Sequence, residues 1–426
     1  FDCLDQQLFN LARVPAMKEL LAQPGAAANP GDVAKYGGYA TSIFLIGWAV
    51  GGLFFGVLGD RIGRAKTMMI TILAYSLFTG LSAFSKGWLD FAVYRFLTGL
   101  GVGGEFAVGV ALVAEAMPDR ARPYALGLLQ ALSAIGNVTA ALISMGFGRL
   151  EETGVIGVAG GWAAWRWMFV VGAVPALLAL VIRARLKEPE KWVAAKQAKQ
   201  EKTGWFFEYA QLFGDPRWRK NAVIGVLLAT TGVIGLWGIG FFAIDLQRSV
   251  FTKVFTAQGI DPAQIPGKVT FWAGGTSMVL NAGAFLGMIA FSRITQQIGR
   301  RRAFAIAFIT GALSTMAVFW FFNSISDLWL IFLMGFFLLA LFGGYAIYFP
   351  ELFPTRLRST GVSFCYNVGR LVAAFGPALL GLLTSEVFKD KPEPMRYAGV
   401  AMCAIFVVGL LVLPFAPETK DKPLPE

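Results

Sequence analysis

The sequence predicts an all-α membrane protein: twelve transmembrane helices in two pseudo-symmetric six-helix bundles. Three observations carry that prediction. The 426-residue chain is 56% hydrophobic and only 15% charged, where a soluble domain carries about 25% charged residues. Apolar stretches long enough to cross a bilayer, roughly 20 residues, recur from end to end. The later part of the chain also repeats the earlier part at a fixed distance. Glu115, Pro118, Arg120 and Arg122 recur as Glu351, Pro354, Arg356 and Arg358, and Gly63-Arg64 recurs as Gly299-Arg300, every pair separated by the same interval. One offset shared by two separate motifs means two halves built on one plan.

The spans fall near 1–22, 38–59, 67–86, 90–114, 122–147 and 163–183 in the first half. In the second they fall near 221–249, 270–292, 303–323, 327–349, 360–386 and 396–415. The domains are therefore 1–183, a solvated linker at 184–220 rich in Lys, Glu and Gln, and 221–426. The 38 Phe and 50 Gly residues suit helices that face lipid on one side and pack closely on the other. The net charge of +11 does not indicate nucleic acid, because the basic residues form short runs between apolar spans and no continuous patch. Cys3, Cys365 and Cys403 lie in apolar segments and read as packing residues, with no disulfide or metal framework. There is no histidine, so imidazole is neither proton carrier nor metal ligand. No cofactor is implied.

The Lys and Arg residues orient the spans. One set of loops, from Arg61 through Lys422, holds 23 of them; the opposite set, from Lys18 through Arg396, holds 10. The richer set is cytoplasmic, which places both termini inside a plasma (inner) membrane. The remaining Arg13, Arg95, Arg166 and Arg370 lie within spans or at their ends. The seventh span opens just after Lys220, so the same offset places the start of the first span upstream of Phe1. The chain is expected to begin partway through its first helix, with Asp2 near mid-membrane.

Gly56-Val57-Leu58-Gly59-Asp60-Arg61-Ile62-Gly63-Arg64 joins spans two and three and closely resembles the signature loop of the major facilitator superfamily. Glycines there allow a tight turn and close helix approach. Asp60 is placed to sit at a helix N-terminus and pair with a basic neighbour, latching the cytoplasmic side; the alternative is a topology signal only. The second copy has Gln296-Gln297 in place of Asp60-Arg61, so a latch there is expected to be weaker. Arg95, Gly99, Gly101 and Gly103, then Glu115 and Pro118 through Arg122, look like the fourth-span region of the sugar-porter branch. Pro350-Glu351-Leu352-Phe353-Pro354 and Pro417-Glu418-Thr419-Lys420 add to that likeness. The resemblance covers essentially the whole chain and extends to organic-ion transporters and aromatic-acid:proton symporters. It implies a gating set of Asp60, Arg61, Arg64, Glu115, Arg122, Arg300, Glu351 and Arg358. Charge networks among these would hold the two halves together when that side is closed; the alternative is solvated helix ends.

Charges inside the bilayer each cost several kcal/mol, roughly, unless paired or wetted. Asp2 and Asp5 are three apart and share a helix face. Asp2 follows an aromatic, as the proton-carrying aspartate does in the first span of proton-coupled sugar and aromatic-acid symporters. Arg95 matches the fourth-span arginine that pairs with it there. A site alternating between burial and a nearby guanidinium loads and releases a proton; the alternative is a permanent structural pair. Glu105, after Gly103-Gly104, matches a glutamate of metabolite:proton and organic-anion symporters and is a second titrating candidate, with a fixed hydrogen-bonded role as the alternative.

Arg370 lies seven residues before Pro377 in span eleven, where aromatic-acid symporters and organic-anion transporters carry a similar arginine facing the cavity. A guanidinium fork binds a carboxylate bidentately; a structural ion pair is the alternative. Gln130 and Asn137 match sugar-contacting positions of the sugar porters. Span seven, with Thr230, Thr231 and Trp237, lacks the paired glutamines and asparagine of that branch. Tyr345 and Tyr348 stand where it has a tryptophan. Tyr345, Tyr348, Tyr366, Trp237 and Asn281 are candidates for an aromatic, partly polar cavity, and helix packing is their alternative role. Asp245 and Arg248 are candidate rim charges or a local pair.

The expected function is alternating-access, proton-coupled symport of a small organic anion, an aromatic carboxylate among the candidates, by a monomer. Its partners are that substrate, protons and the lipid bilayer. A sugar or polyol symporter using Gln130, Asn137 and Asn281 is the first rival. A transporter-like receptor that binds without translocating is the second, and the gating loops count against it. No nucleophile–base or metal cluster points to an enzyme.

Overall fold

The computed structural model describes residues 2–22, 27–116, 122–157, 161–177, 181, 207–353 and 358–420, and no strand occurs among them. The first bundle holds α1 (Asp2–Leu20), α2 (Pro30–Ile62), α3 (Arg64–Ser82), α4 (Trp88–Ala116), α5 (Arg122–Glu152) and α6 (Ala164–Gly172). After a short α7 (Phe207–Gly214), the second bundle holds α8 (Pro216–Val233), α9 (Ala243–Ala257), α10 (Ile265–Ile298), α11 (Arg300–Phe321), α12 (Leu328–Glu351), α13 (Arg358–Ala373), α14 (Phe375–Leu382), α15 (Pro394–Met402) and α16 (Ile405–Val412). Each of the twelve predicted spans meets one of these segments. By length and composition, seven described stretches are apolar enough to cross a bilayer: Pro30–Phe55, Pro216–Ala257, Ile265–Ile298, Arg300–Phe321, Ile325–Phe349, Gly361–Val387 and Pro394–Phe415.

The constant offset survives in three dimensions. Shifted by it, α2 ends at position 298, where α10 ends; α3 begins at 300, where α11 begins; and α5 begins at 358, where α13 begins. Local chemistry explains the boundaries. Gly63 (φ 118°) and Gly299 (φ 91°) form the two equivalent turns, a conformation that disfavours any side chain. Pro30 follows the Asn29 cap, whose side chain accepts from Gly31 N at 2.8 Å. Pro216 follows the Asp215 cap, which accepts from Arg217 N at 2.7 Å. That second cap opens α8 inside the stretch 184–220, so the expected linker ends earlier than predicted and carries α7.

Packing repeats as well. A Cβ on Gly47, Gly51 or Gly99 would collide with the backbone oxygen of Phe96, Leu100 or Phe44, so α2 and α4 cross at backbone contact. Gly283, Gly287 and Gly335, their counterparts at the shared offset, meet Phe332 O, Phe336 O and Leu280 O in the same way. Where lipid replaces water, close approach of backbones is what holds helices together.

Three described spans are interrupted near mid-length, Pro394–Phe415 between α15 and α16 and two others whose breaks meet. Between α8 and α9 the chain makes a π-helical segment (Ile234–Ile239) and a 3-10 turn (Gly240–Phe242). Between α13 and α14 the helix is broken at Ala374. Gly238 and Gly376 pack against each other, so the two breaks meet. A π segment inside a membrane helix re-aims side chains at the interior, and Trp237 sits in this one.

Candidate functional site

The halves face each other along α2 against α13 and α14, and along α5 against α10. A Cβ on Gly38 would strike Pro377 O, and one on Gly148 would lie 2.6 Å from Phe271 N. The Ala378 N–H donates to Ser42 Oγ across this seam at 3.1 Å.

Polar groups gather between the halves partway along these helices. Arg370 of α13, partly exposed, lies over the Trp48 ring of α2 at 4.3 Å and over Tyr366 at 5.4 Å. It donates to Asn367 Oδ1 at 3.3 Å. Trp48 meets Trp237 edge-on at 5.4 Å, and Phe44 joins Trp237 at 5.8 Å. Asn137 Nδ2 donates to Asn281 Oδ1 at 3.0 Å, and Gln7 Nε2 donates to Ser277 Oγ at 2.5 Å, both across the seam. Trp48 Nε1 and both amide atoms of Asn10 are buried and have no hydrogen-bond partner among the described residues. The arrangement offers a guanidinium fork, an indole N–H and an aromatic wall in one place. These are groups that take a carboxylate and a flat ring.

The predicted members divide as follows. Asn137 and Asn281 pair with each other at the α5–α10 seam, and Tyr366, Trp48 and Trp237 are brought together with Arg370. Tyr345 and Tyr348 are not, which corrects their assignment to the cavity. Tyr345 is fully buried, stacks on Phe304 at 5.4 Å and Phe349 at 4.9 Å, and donates to Leu228 O. Tyr348 donates to Pro417 O. Both rings are core of the second bundle, with their hydroxyls satisfied by backbone.

In the first bundle, Asp5 faces Arg95; the side chain of Asp2, the partner the motif suggests, lies outside the described residues. Asp5 Oδ1 accepts from Thr79 Oγ1 at 2.5 Å, and Oδ2 lies 4.0 Å from Arg95 Nη1. All of this is buried between α1, α3 and α4. Arg95 also donates to Ser82 Oγ at 2.7 Å and Thr98 Oγ1 at 3.1 Å, with Phe169 beneath it at 4.7 Å. Glu105 is half-buried on α4. Two residues before it, Gly103 packs on Gly52, and a Cβ on Gly52 would be 2.7 Å from Asn367 Oδ1. Glu105 therefore lies near the level of Arg370.

At the Gly299 end, Arg300 grips Glu351 with two bonds of 2.9 and 3.1 Å, and Thr419 donates to the same carboxylate. Glu418 accepts from Arg300 N at 2.9 Å and Arg301 N at 3.1 Å, capping α11. Burial pushes the Glu418 carboxyl up, but four backbone N–H donors, from Arg300, Lys420, Arg301 and Thr419, outweigh it and hold the group below the usual glutamate range. These contacts stay inside the second half. In this copy, which lacks the Asp60-Arg61 pair, Arg300 and Glu351 are bonded to each other. The side chains of Asp2, Asp60, Arg61, Arg64, Glu115, Arg122, Gln130 and Arg358 lie outside the described residues.

Asp245 and Arg248 are not rim charges. Asp245 is buried and bonded to Arg13 Nη2 at 2.6 Å, and Arg248 Nη2 donates to Leu11 O at 2.6 Å. No sequence expectation covered Gln7, Asn10, Ser277, Trp48 or Asn367. A signal is present for two sets: Gln6, Gln7 and Asn10 put three amides within two turns of an apolar span, and Asn367 precedes Arg370 by three, on one helix face.

Two pseudo-repeated helical bundles meeting at a polar midplane site, with broken helices beside it, define a secondary membrane transporter. The chain belongs to the Major Facilitator Superfamily, whose family model matches residues 9–377 and 240–426. It is a multi-pass membrane transporter and not an enzyme. It is 29% identical over 354 residues to the cis,cis-muconate transport protein of Acinetobacter baylyi (82% of this chain, 78% of that protein). It is 28% identical over 343 residues to a sialic acid transporter of Escherichia coli (79% and 75%). Among solved structures, a D-xylose-proton symporter superposes with a TM-score of 0.70 at 18% identity (99% and 98% covered), a likeness of fold.

Proposed function

We propose that this protein is a proton-coupled symporter of a small organic anion, with an aromatic or conjugated carboxylate as the preferred class. The observation that carries the reading is Arg370, partly exposed between the halves and stacked on Trp48. The guanidinium receives the carboxylate, the Trp48 indole N–H supplies a further donor, and Trp48, Trp237 and Phe44 flank the ring. Muconate and sialic acid, named for the two relatives, differ in framework but share a carboxylate. Asp5, with Asp2 one turn away, and Glu105 carry protons, and Arg95 sets the affinity of Asp5. The protein acts as a monomer, with both termini and the Gly63 and Gly299 turns cytoplasmic, by rocking of the two bundles.

Uptake of labelled carboxylates into proteoliposomes, with and without an inward-acidifying pH gradient, tests this. Arg370→Ala is expected to lower carboxylate uptake on the order of 100-fold, the worth of a bidentate charged contact, at an unchanged thermal midpoint in detergent. Arg370→Lys is expected to recover part of it. Unchanged carboxylate uptake by Arg370→Ala would overturn the assignment. A neutral-sugar reading draws support from the Asn137–Asn281 and Gln7–Ser277 amide contacts. Competition by sugars but not by carboxylates would select it.

A further inference from the structure

Among the described residues, three ion pairs join the two halves, and all lie at the end where Pro30 opens α2 and Ile265 opens α10. They are Arg13–Asp245 at 2.6 Å, Lys35–Glu386 at 3.3 Å and Lys268–Glu152 at 3.6 Å. The last two are partly solvated and contribute little. Arg13–Asp245 differs, since its side chains are 1% and 5% exposed. Arg13 also lies 3.8 Å over the Phe242 ring and donates to Thr41 Oγ1 at 3.3 Å.

A second bond crosses the seam beside it, and its origin is legible in the covalent chain. Pro15 lies inside α1 and has no N–H, so the Leu11 carbonyl four residues earlier has no helical donor. An unmade backbone bond in a membrane span must be met from elsewhere. Arg248 of α9, from the opposite half, meets it at 2.6 Å. The cluster remains under-satisfied: Arg13 Nε, Arg248 Nε and Asp245 Oδ1 are buried without hydrogen-bond partners among the described residues. A buried pair with excess donors and one idle carboxylate oxygen holds its contact closed but gains less from closure than a saturated pair.

We propose that Arg13, Asp245 and Arg248, with the carbonyl released by Pro15, form the bolt of the gate at the Pro30 end. Breaking this α1–α9 contact admits the site to that side of the membrane. The inference rests on the two-bundle transporter architecture and not on the identity of the substrate.

The test uses the full-length chain with Cys3, Cys365 and Cys403 replaced and one reporter cysteine at Ser277→Cys, two helical turns deeper on α10 than Thr270, which Arg248 touches. Vesicles of each orientation are treated with a membrane-impermeant maleimide. The parent is expected to be protected from the Pro30 side. Asp245→Asn and Arg13→Gln are each expected to raise labelling from that side about tenfold, which is about 1.4 kcal/mol on the opening equilibrium. Pro15→Ala leaves every charge in place but restores a donor to Leu11 O. It is expected to raise labelling about threefold with a thermal midpoint equal to or above the parent's. If the single charge variants do not fold, the neutral pair Arg13→Gln/Asp245→Asn and Pro15→Ala decide the matter. Labelling unchanged in folded Pro15→Ala and in the neutral pair would overturn the proposal.

Discussion

The two halves share their packing but not their chemistry. Gly47, Gly51 and Gly99 have counterparts in Gly283, Gly287 and Gly335, and each set brings two helices to backbone contact. Of the polar cluster of the first half, only Thr79 has a polar copy. Asp5, Thr79, Ser82, Arg95 and Thr98 correspond, at the same offset, to Phe241, Thr315, Val318, Ile331 and Met334. Ile331, Val318 and Met334 are buried core. Conversely, Arg370 and Asn367 correspond to Ala134 and Ala131. Duplication fixed the scaffold, because backbone approach tolerates only small residues. Ionisable side chains were free to diverge, since each must find its own partner. Asp5 and Arg95 face each other within the first half while Arg370 stands in the second, so a movement of one half against the other changes the relation between them.

The strongest way to break this comparison is at equivalent core positions. Arg95→Met leaves Asp5 buried without its counter-charge and is expected to cost about 3–5 kcal/mol. Ile331→Val, at the equivalent site, should cost about 1 kcal/mol. Thermal midpoints in detergent report both, and equal losses would mean that the pair adds nothing beyond packing. The double variant Asp5→Asn/Arg95→Met should recover most of the stability while losing accumulation driven by a pH gradient. Next in size come the glycines. Gly51→Val and Gly287→Val are each expected to destabilise by about 1–3 kcal/mol, and by similar amounts. A difference well above about 1 kcal/mol would show that the pseudo-symmetry stops short of the helix crossings. The smallest effect concerns the tail. Glu418 is held below the usual glutamate range, so its contribution is present above the unfolded pKa, about 4.3, and is lost as pH falls through the lower folded value. Glu418→Gln should cost about 0.5–1 kcal/mol at neutral pH and abolish that acid-dependent part. Hydrogen exchange of the first-turn amides of α11 at neutral and acidic pH measures it.

How much of this is legible in the chain follows the range of the forces involved. Span positions and their two-fold repeat come from local hydropathy and short motifs, and they agree with the helices to within a few residues at most ends. Arg370 is conspicuous because an arginine in an apolar span stands out. Motif likeness points Arg95 to Asp2 and does not show Asp5, which packing sets 4.0 Å from Arg95. Tyr345 and Tyr348 resemble cavity residues because an aromatic stripe reads the same whether it faces a void or a neighbouring ring. Trp48 is one of twelve tryptophans, and nothing local sets it apart.

Read alone, the chain specifies a membrane protein of two repeated helical halves, with Arg95, Glu105 and Arg370 as charges that need a reason to be in the bilayer. Hydrophobic length and the cost of burying charge are local properties, written residue by residue. Which helices face each other across the seam is settled by three-dimensional packing. That packing joins Arg13 to Asp245, Arg248 to the carbonyl that Pro15 releases, and Arg370 to Trp48, each pair drawn from opposite halves of the chain. Such pairings depend on helix rotation and crossing, which no single span encodes.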